Sequence, residues 1–490
     1  MPHFGQEDGD RGTEDRFGIL IGHPVRTGIG SVRTGTPGGS IMGGKKVIVV
    51  GAGCAGLMAT HVLRKHGVDV TALEASDVTG GRCRNVVKKG YNISLGAGMT
   101  EPQWLTTYRL CEELGIAGEM VKVTKARMGF SRNGKVHYLL ARGGLMDRIM
   151  SLPETFRFRG LPLRAIPDIL RFAGAMKKRL KDCDARTRNY DALLDLGPVS
   201  TYDFAMEHGG PEAVYSLADP FLNAMVLTRP ERVTIAHIMA LLSLTEGMSG
   251  MMRGMGSITG ALYDRIRDSV RLSTPVERIV IEDGKVKGVE TKNGFIEADQ
   301  VICATDAVIA RKIMPDLPGT MRGPLETCHY SSTYLYALCT GKRLNPDNTL
   351  AITFRRSDDP RLAVIFDTGG HVKGAQPEGS SVIQAYTAGW HDAYWSGLSP
   401  EDREKAVIRE VQRYLPGMPD KPEVVETVRW DRAVNEESPG QFNAIHELVR
   451  NHMNDVKGLH LAGEYLFLVA CTEGAFATGE AAAKAVISEL

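Results

Sequence analysis

The sequence predicts an α/β fold: a Rossmann-type dinucleotide-binding domain built from separated segments, with an inserted α+β substrate domain of helices on an antiparallel sheet. Three stretches carry that prediction. Residues 46–82 read as strand, glycine turn, helix and strand. Residues 276–306 return to strands after a long helical run, and residues 458–490 close the chain with a short strand, a turn and an alanine-rich helix.

The first stretch is KVIVVGAGCAGLMATHVLRKHGVDVTALEASDVTGGR. Val47 to Val50 are β-branched with no polar alternation, the pattern of a parallel strand covered on both faces. Gly51, Gly53 and Gly56 then match G-x-G-x-x-G. They serve a tight turn, the approach of backbone to a pyrophosphate, and close packing of helix on strand. Ala55 shares that first helical turn, whose free N–H groups and positive dipole end attract an anion without a basic side chain. The helix is expected to run to about His66 and stop at Gly67. Asp69 to Leu73 form the second strand. Glu74, followed by Ala75, stands where a carboxylate accepts hydrogen bonds from ribose hydroxyls.

Directly after that unit comes Thr79-Gly80-Gly81-Arg82, and the whole resembles the flavin-binding N-terminus of the amine oxidase, phytoene desaturase and protoporphyrinogen oxidase superfamily. The resemblance implies FAD as cofactor, with Gly81 and Arg82 along its pyrophosphate and the turn Gly96-Ala97-Gly98-Met99 beside the flavin ring. Residues 276–306 form two period-2 runs with turns at Asp283-Gly284 and Asn293-Gly294, then a buried-type strand from Gln300 to Ala304. By the same resemblance, Val276 meets the adenine through its backbone, and Trp430 to Gly440 lies near the flavin edge. The final stretch, GLHLAGEYLFLVACTEGAFATGEAAAKAVISEL, resembles the C-terminal flavin signature of that superfamily. It implies Gly463 and Glu464 at the ribityl and phosphate region, with Gly474 and Ala475 opening a helix whose N–H groups face the flavin N1 and C2 carbonyl.

The resemblance covers both ends and the meander, and the middle in outline. It implies an FAD domain of residues 45–100, 270–306 and 456–490, and a substrate domain of residues 101–269 and 307–455. The part from 145 to 260 is expected to be mostly helical, and contact with a membrane is one of two readings of it. There, residues 148–182 carry nine basic side chains against three acidic ones. Ile166, Ile169, Leu170, Ala173, Met176 and Leu180 form one helical stripe, with Arg171, Lys177, Lys178 and Lys181 around it. A solvated surface helix and a membrane-surface helix both fit this pattern. Residues 247–260, GMSGMMRGMGSITG, hold four methionines suited to core filling or to a pliable apolar pocket. Strand-like runs at 329–339, 350–355, 361–367 and 381–387 suggest the antiparallel roof of a substrate cavity, and Ser399-Pro400 starts a helix.

Composition narrows the class. With 490 residues and 43% hydrophobic content the chain can build two substantial cores, and its net charge of +1 argues against a dedicated nucleic-acid binder. Eight cysteines without a C-x-x-C pair suggest neither a zinc site nor a disulfide framework, and thirteen histidines lack metal-ligand spacing, so no metal is expected. No apolar run reaches bilayer-spanning length. Residues 1–44 are glycine-rich and weakly patterned, and the first 41 are expected to be disordered or to come from a mis-set start codon. A cytoplasmic location is expected, either free or peripheral on the cytoplasmic membrane, for a monomer or homodimer.

The activity implied by the resemblance is removal of hydride from a substrate carbon to flavin N5, with oxygen or a quinone as electron acceptor. Flavin amine oxidases commonly carry a lysine in the strand leaving the substrate sheet, where this chain has Thr333 and Tyr334 and reaches a lysine only at Lys342. They also place an aromatic before the Glu-Gly-Ala helix, where this chain has Cys471 and Thr472. Both departures favour carbon–carbon desaturation of an apolar or polycyclic substrate, of carotenoid, squalene or porphyrinogen type. Amine oxidation and a reduced-flavin isomerase are the alternatives, with a non-enzymatic FAD scaffold a remoter one. Tyr334, Tyr465, Glu473 and His329 stand beside cofactor segments and are the candidates for the group that takes the substrate proton.

Overall fold

The computed structural model describes residues 44–490 apart from 102, 182, 184–189, 245–246, 371 and 373. The expectation for the N-terminal extension therefore lies outside the described residues, except at Gly44. In chain order, the unit expected first is β1 (Val47–Val50), α1 (Cys54–Lys65) and β2 (Val70–Leu73). The middle holds α2 (Leu105–Leu114), β3 (Ala126–Arg132), β4 (Lys135–Arg142), α3 (Leu145–Met150), α4 (Leu152–Arg157) and α5 (Ala165–Leu180). Then come β5 (Val270–Arg271) and the meander strands β6 (Val276–Glu282), β7 (Lys285–Thr291) and β8 (Gly294–Glu297), followed by β9 (Gln300–Cys303). The last third holds β10 (Thr333–Thr340), β11 (Thr349–Thr353), β12 (Leu362–Asp367), β13 (Ser381–Thr387), α6 (Pro400–Gln412), β14 (Val424–Trp430), β15 (Leu459–Leu461) and α7 (Thr472–Glu489).

Two sheets organise these elements. The first is wholly parallel, in the order β15-β9-β1-β2-β5. Its central strand is covered on both faces, as the unalternating valines require. Val47 and Val49 pack with Leu57 of α1 and Phe476 of α7, and Ile48 and Val50 join the opposite apolar cluster. Along that first face α7 lies against α1, closely enough that a Cβ on Gly479 would stand 2.2 Å from the Ala55 carbonyl oxygen.

The second sheet has seven strands in the order β14-β10-β13-β12-β11-β3-β4. It differs from the expected antiparallel sheet at one pair, since β3 runs parallel to β11 while the other neighbours are antiparallel. The long run that precedes the strands of residues 276–306 thus also contributes β3 and β4, joined through Asn133-Gly134. β4 is half-buried along most of its length, so no clean inside–outside alternation marked it.

On β10 successive side chains face opposite ways. Tyr336 and Leu338 pack on α6 with Val407 and Val411, whereas Leu335 joins an apolar cluster bordered by Met99. Of the four methionines from 248 to 255, Met251 and Met255 fill the core behind α1, and Met248 borders the Met99 cluster. Among the described residues no helix is long and apolar enough to cross a membrane.

Candidate active site

The glycine turn after β1 sits at the carboxyl end of the parallel sheet. Gly51 adopts φ +100°, a conformation open to glycine at no steric cost, and its N–H donates to the Leu73 carbonyl at 2.8 Å. At Gly56 a Cβ would stand 1.9 Å from the Gly51 carbonyl oxygen, and at Gly53 it would meet nothing within 4 Å. The second glycine thus faces open space, as a backbone that receives a phosphate must. No side chain caps α1, so its first-turn amides have no side-chain acceptor.

Around this turn the other segments converge. Glu74 accepts from Ala52 N at 2.6 Å and from Ser76 N at 2.9 Å, leaving lone pairs for further donors. Ala75 beside it is exposed. The segment leading to Val276 is held there too: Glu74 N donates to the Arg271 carbonyl and Thr274 N to the Glu74 carbonyl. Gly80 N donates to the Ala52 carbonyl, which stacks the Gly80-Gly81-Arg82 turn on the glycine loop. Arg82 pairs with Glu464 at 2.8 Å and donates to the Ala433 carbonyl at 3.1 Å. That contact ties the N-terminal unit to the segment after β14 and to the residue after Gly463.

The turn Gly96-Ala97-Gly98-Met99 is clamped from the large sheet. Trp430 Nε1 donates to the Leu95 carbonyl at 2.6 Å and Tyr386 donates its phenolic hydrogen to the Gly96 carbonyl at 3.1 Å. From below, Ala97 N donates to the Arg82 carbonyl at 3.0 Å. Opposite, α7 begins with Cys471 accepting from Gly474 N, while Ala475 is half-buried and the buried Thr472 hydroxyl has no partner.

The pattern of the flavin containing amine oxidoreductases matches residues 54–487. The chain belongs to that family. An L-amino acid oxidase of Bothrops pictus is 25% identical over 389 residues, covering 75% of this chain and 73% of its own length. Among solved structures, a protoporphyrinogen oxidase-like protein from Exiguobacterium sp. 255-15 has 18% identity and a TM-score of 0.71, covering 92% of this chain and 100% of its own. The cyclohexylamine oxidase of Brevibacterium oxydans IH-35A also has 18% identity and a TM-score of 0.71, covering 91% of this chain and 99% of its own. These two likenesses are of fold.

The protein is accordingly an FAD-dependent oxidoreductase, and its residues fit the cofactor. The open space at Gly53, the uncapped α1 and the unpartnered Thr472 hydroxyl are features of a site that expects a polar ligand.

The four candidates for taking the substrate proton differ in their surroundings. Tyr334 lies on the α6 side of β10, its ring between the guanidinium groups of Arg403 and Arg429 at 4.0 and 4.6 Å. Tyr465 is fully buried, its hydroxyl without a partner, and burial pushes its phenol well above the ordinary value. Glu473 caps α2, accepting from Thr106 N at 2.9 Å and from Thr107 N and Oγ1 at 2.8 Å. His329 is exposed.

A different acid stands beside the clamped turn. Glu101, two residues past Met99, is buried, and burial pushes its carboxyl from 4.5 up to about 7, against the Gly247 N–H and the charge of Arg142. Gly247 N donates to Glu101 Oε2 at 3.1 Å, and the next residue, Met248, borders the Met99 cluster. In the sequence its only mark is a carboxylate two residues after Gly96–Met99.

Proposed function

We propose that this protein is a desaturase-like dehydrogenase that removes hydride from a C–H bond of an apolar substrate. FAD, when bound, supplies the hydride acceptor. Gly51, Gly53, Gly56, Gly81 and Arg82 with the α1 amides would hold its pyrophosphate. Glu74 would hold the ribose and Val276 the adenine, while Gly98, Met99, Gly463, Glu464, Gly474 and Ala475 would frame the ribityl chain and the ring.

The observation that carries the reading is the character of the surface beside Met99. The side chains there are Leu335, Tyr386, Phe366, Trp390, Val428 and Val434. Such a wall offers an apolar substrate contact area. Glu101 would take the substrate proton on a carboxylate oxygen, a role that fits a carboxyl with a pKa near neutrality.

One observation favours a second reading, oxidation of an amino acid as in the L-amino acid oxidase relatives. Arg229 stacks on Trp390 at 4.7 Å without a hydrogen bond or carboxylate partner of its own. Burial and the neighbouring Arg356 hold its pKa below the usual value, so a substrate carboxylate would be a favourable guest.

Anaerobic bleaching of the FAD-loaded protein by a polyene, a porphyrinogen, a primary amine and an L-amino acid separates the readings. Rapid bleaching by an apolar substrate is expected. Bleaching by amines alone would overturn the proposal, and bleaching by L-amino acids that Arg229→Leu abolishes would establish the second reading.

The rate with the preferred substrate is expected to rise as pH passes through about 7. Glu101→Gln is expected to slow it by roughly 100-fold or more and to remove the inflection. Stability moves the other way. Because the folded pKa lies above the unfolded one, the unfolded chain releases this proton first, so the stabilising contribution is complete below about 4.5 and lost as pH rises through about 7. A profile unchanged in Glu101→Gln would remove Glu101 from the reaction.

A further inference from the structure

The helical part exposes apolar surface in one stretch. Of sixteen exposed large apolar side chains among the described residues, nine lie between Leu145 and Leu170, so this surface is concentrated rather than scattered. Leu163 is 85% exposed, Leu145 78%, Met150 77% and Phe156 76%, values that leave these side chains almost wholly in water. They recur at helical spacing: Leu145 with Ile149, Met146 with Met150, Leu152 with Phe156, and Ile166 with Leu170.

On α5 the single stripe expected from the sequence is divided. Ala165, Phe172 and Met176 anchor the helix to the protein, whereas Ile166 and Leu170 point outward about a third of a turn away. Packing in the domain thus uses one flank of the stripe and leaves the other unspent. Around it Arg148, Arg157, Arg159, Lys177, Lys178 and Lys181 have no carboxylate partner among the described residues, while the remaining basic residues Arg164, Arg171 and Arg179 are paired with Glu212, Asp168 and Asp195.

We propose that this face, residues 145–181, docks the protein on an anionic lipid bilayer. Charge chooses the occupant. Apolar side chains ringed by free cations match a surface with acyl chains beneath a layer of phosphates, where apolar groups enter the headgroup boundary and lysines and arginines meet the anions. A second copy of this chain would bring the same positive charge to the contact and be repelled. A cavity of about 510 Å³ opens beside α3, lined by Lys122, Thr124, Arg142, Gly143, Gly144 and Arg148. Val123, between two of its lining residues, belongs to the Met99 cluster, so the docked face lies next to the reactive side. Delivery of substrate by this route rests on the apolar-substrate reading; docking itself does not.

The test is co-sedimentation of the full FAD-loaded chain, without substrate, with phosphatidylcholine vesicles that contain or lack phosphatidylglycerol. Sedimentation with the anionic vesicles, reversed by salt, is expected. Combining Leu145→Ser, Met150→Ser, Phe156→Ser and Leu163→Ser is expected to weaken it by roughly 10-fold or more while FAD content and melting temperature hold. Protein that stays in the supernatant with both lipids overturns the proposal. So does vesicle binding that appears only when residues 1–43 are removed, which would make that segment the occupant. Self-association in sedimentation velocity that the same four substitutions abolish would assign the face to a second copy instead. Bleaching by amines would leave the docking result untouched, so the two failures are distinguishable.

Discussion

Gly56→Ala is expected to give a protein that holds FAD roughly 100-fold more weakly and is less stable by about 3 kcal/mol. The added methyl would stand 1.9 Å from the Gly51 carbonyl oxygen, and neither partner can yield cheaply. Gly51 is fixed by its hydrogen bond to the Leu73 carbonyl and by the Ala304 carbonyl, which would lie 3.0 Å from a Cβ at Gly51. The strain must then be relieved by lifting the start of α1 off β1, and α1 is also pressed by α7, whose Gly479 packs on the Ala55 backbone. The amides that face the phosphate move with it. Gly53→Ala serves as the contrast, because its methyl meets nothing within 4 Å and Gly53 has an ordinary φ of −77°. That variant is expected to keep its denaturation midpoint and still lose FAD, since the methyl occupies space the pyrophosphate needs. The flavin absorbance ratio and a denaturant titration read both outcomes. A Gly56→Ala protein with full FAD and an unchanged midpoint would show that the helix and strand are not in such close contact.

The cofactor half was legible because its signals are local. Valines without alternation, glycines at fixed offsets and a carboxylate at the end of the second strand each state a backbone requirement within a few residues. The bounds follow closely: α1 ends at Lys65 with Gly67 at φ +74°, and β9 spans Gln300–Cys303. What the sequence did not reveal depends on partners far away in the chain. β3 and β4 are strands because β11 offers an edge more than two hundred residues later, and their own alternation is blurred by half-burial. Tyr334 looked close to the reaction by position. A period of two turns it toward α6, and Leu335 alone of that pair reaches the Met99 cluster. Glu101 carries no local signal for the converse reason, that burial rather than any neighbour in sequence raises its carboxyl pKa.

Glu473→Ala is expected to cost about 3 kcal/mol or more of stability while leaving the rate of flavin bleaching per bound FAD nearly unchanged. Its position in the Glu-Gly-Ala turn suggested chemistry, and its hydrogen bonds indicate architecture. Trp104 at the start of α2 provides no side-chain cap. The Glu473 carboxylate, reaching across 367 residues of sequence, takes the Thr106 amide with one oxygen and the Thr107 amide and hydroxyl with the other. All three donors are buried, so alanine would leave them without an acceptor, and each such loss costs about 1–3 kcal/mol. Glutamine keeps one oxygen and turns an NH2 toward a donor, so Glu473→Gln is expected to fall between alanine and the native protein. Denaturant midpoints order the three forms, and stopped-flow bleaching normalised to bound flavin separates stability from chemistry. If bleaching collapses in Glu473→Ala while the midpoint holds, the carboxylate acts on the substrate rather than on α2. The opposite result makes Glu473 the clamp that joins α7 to α2.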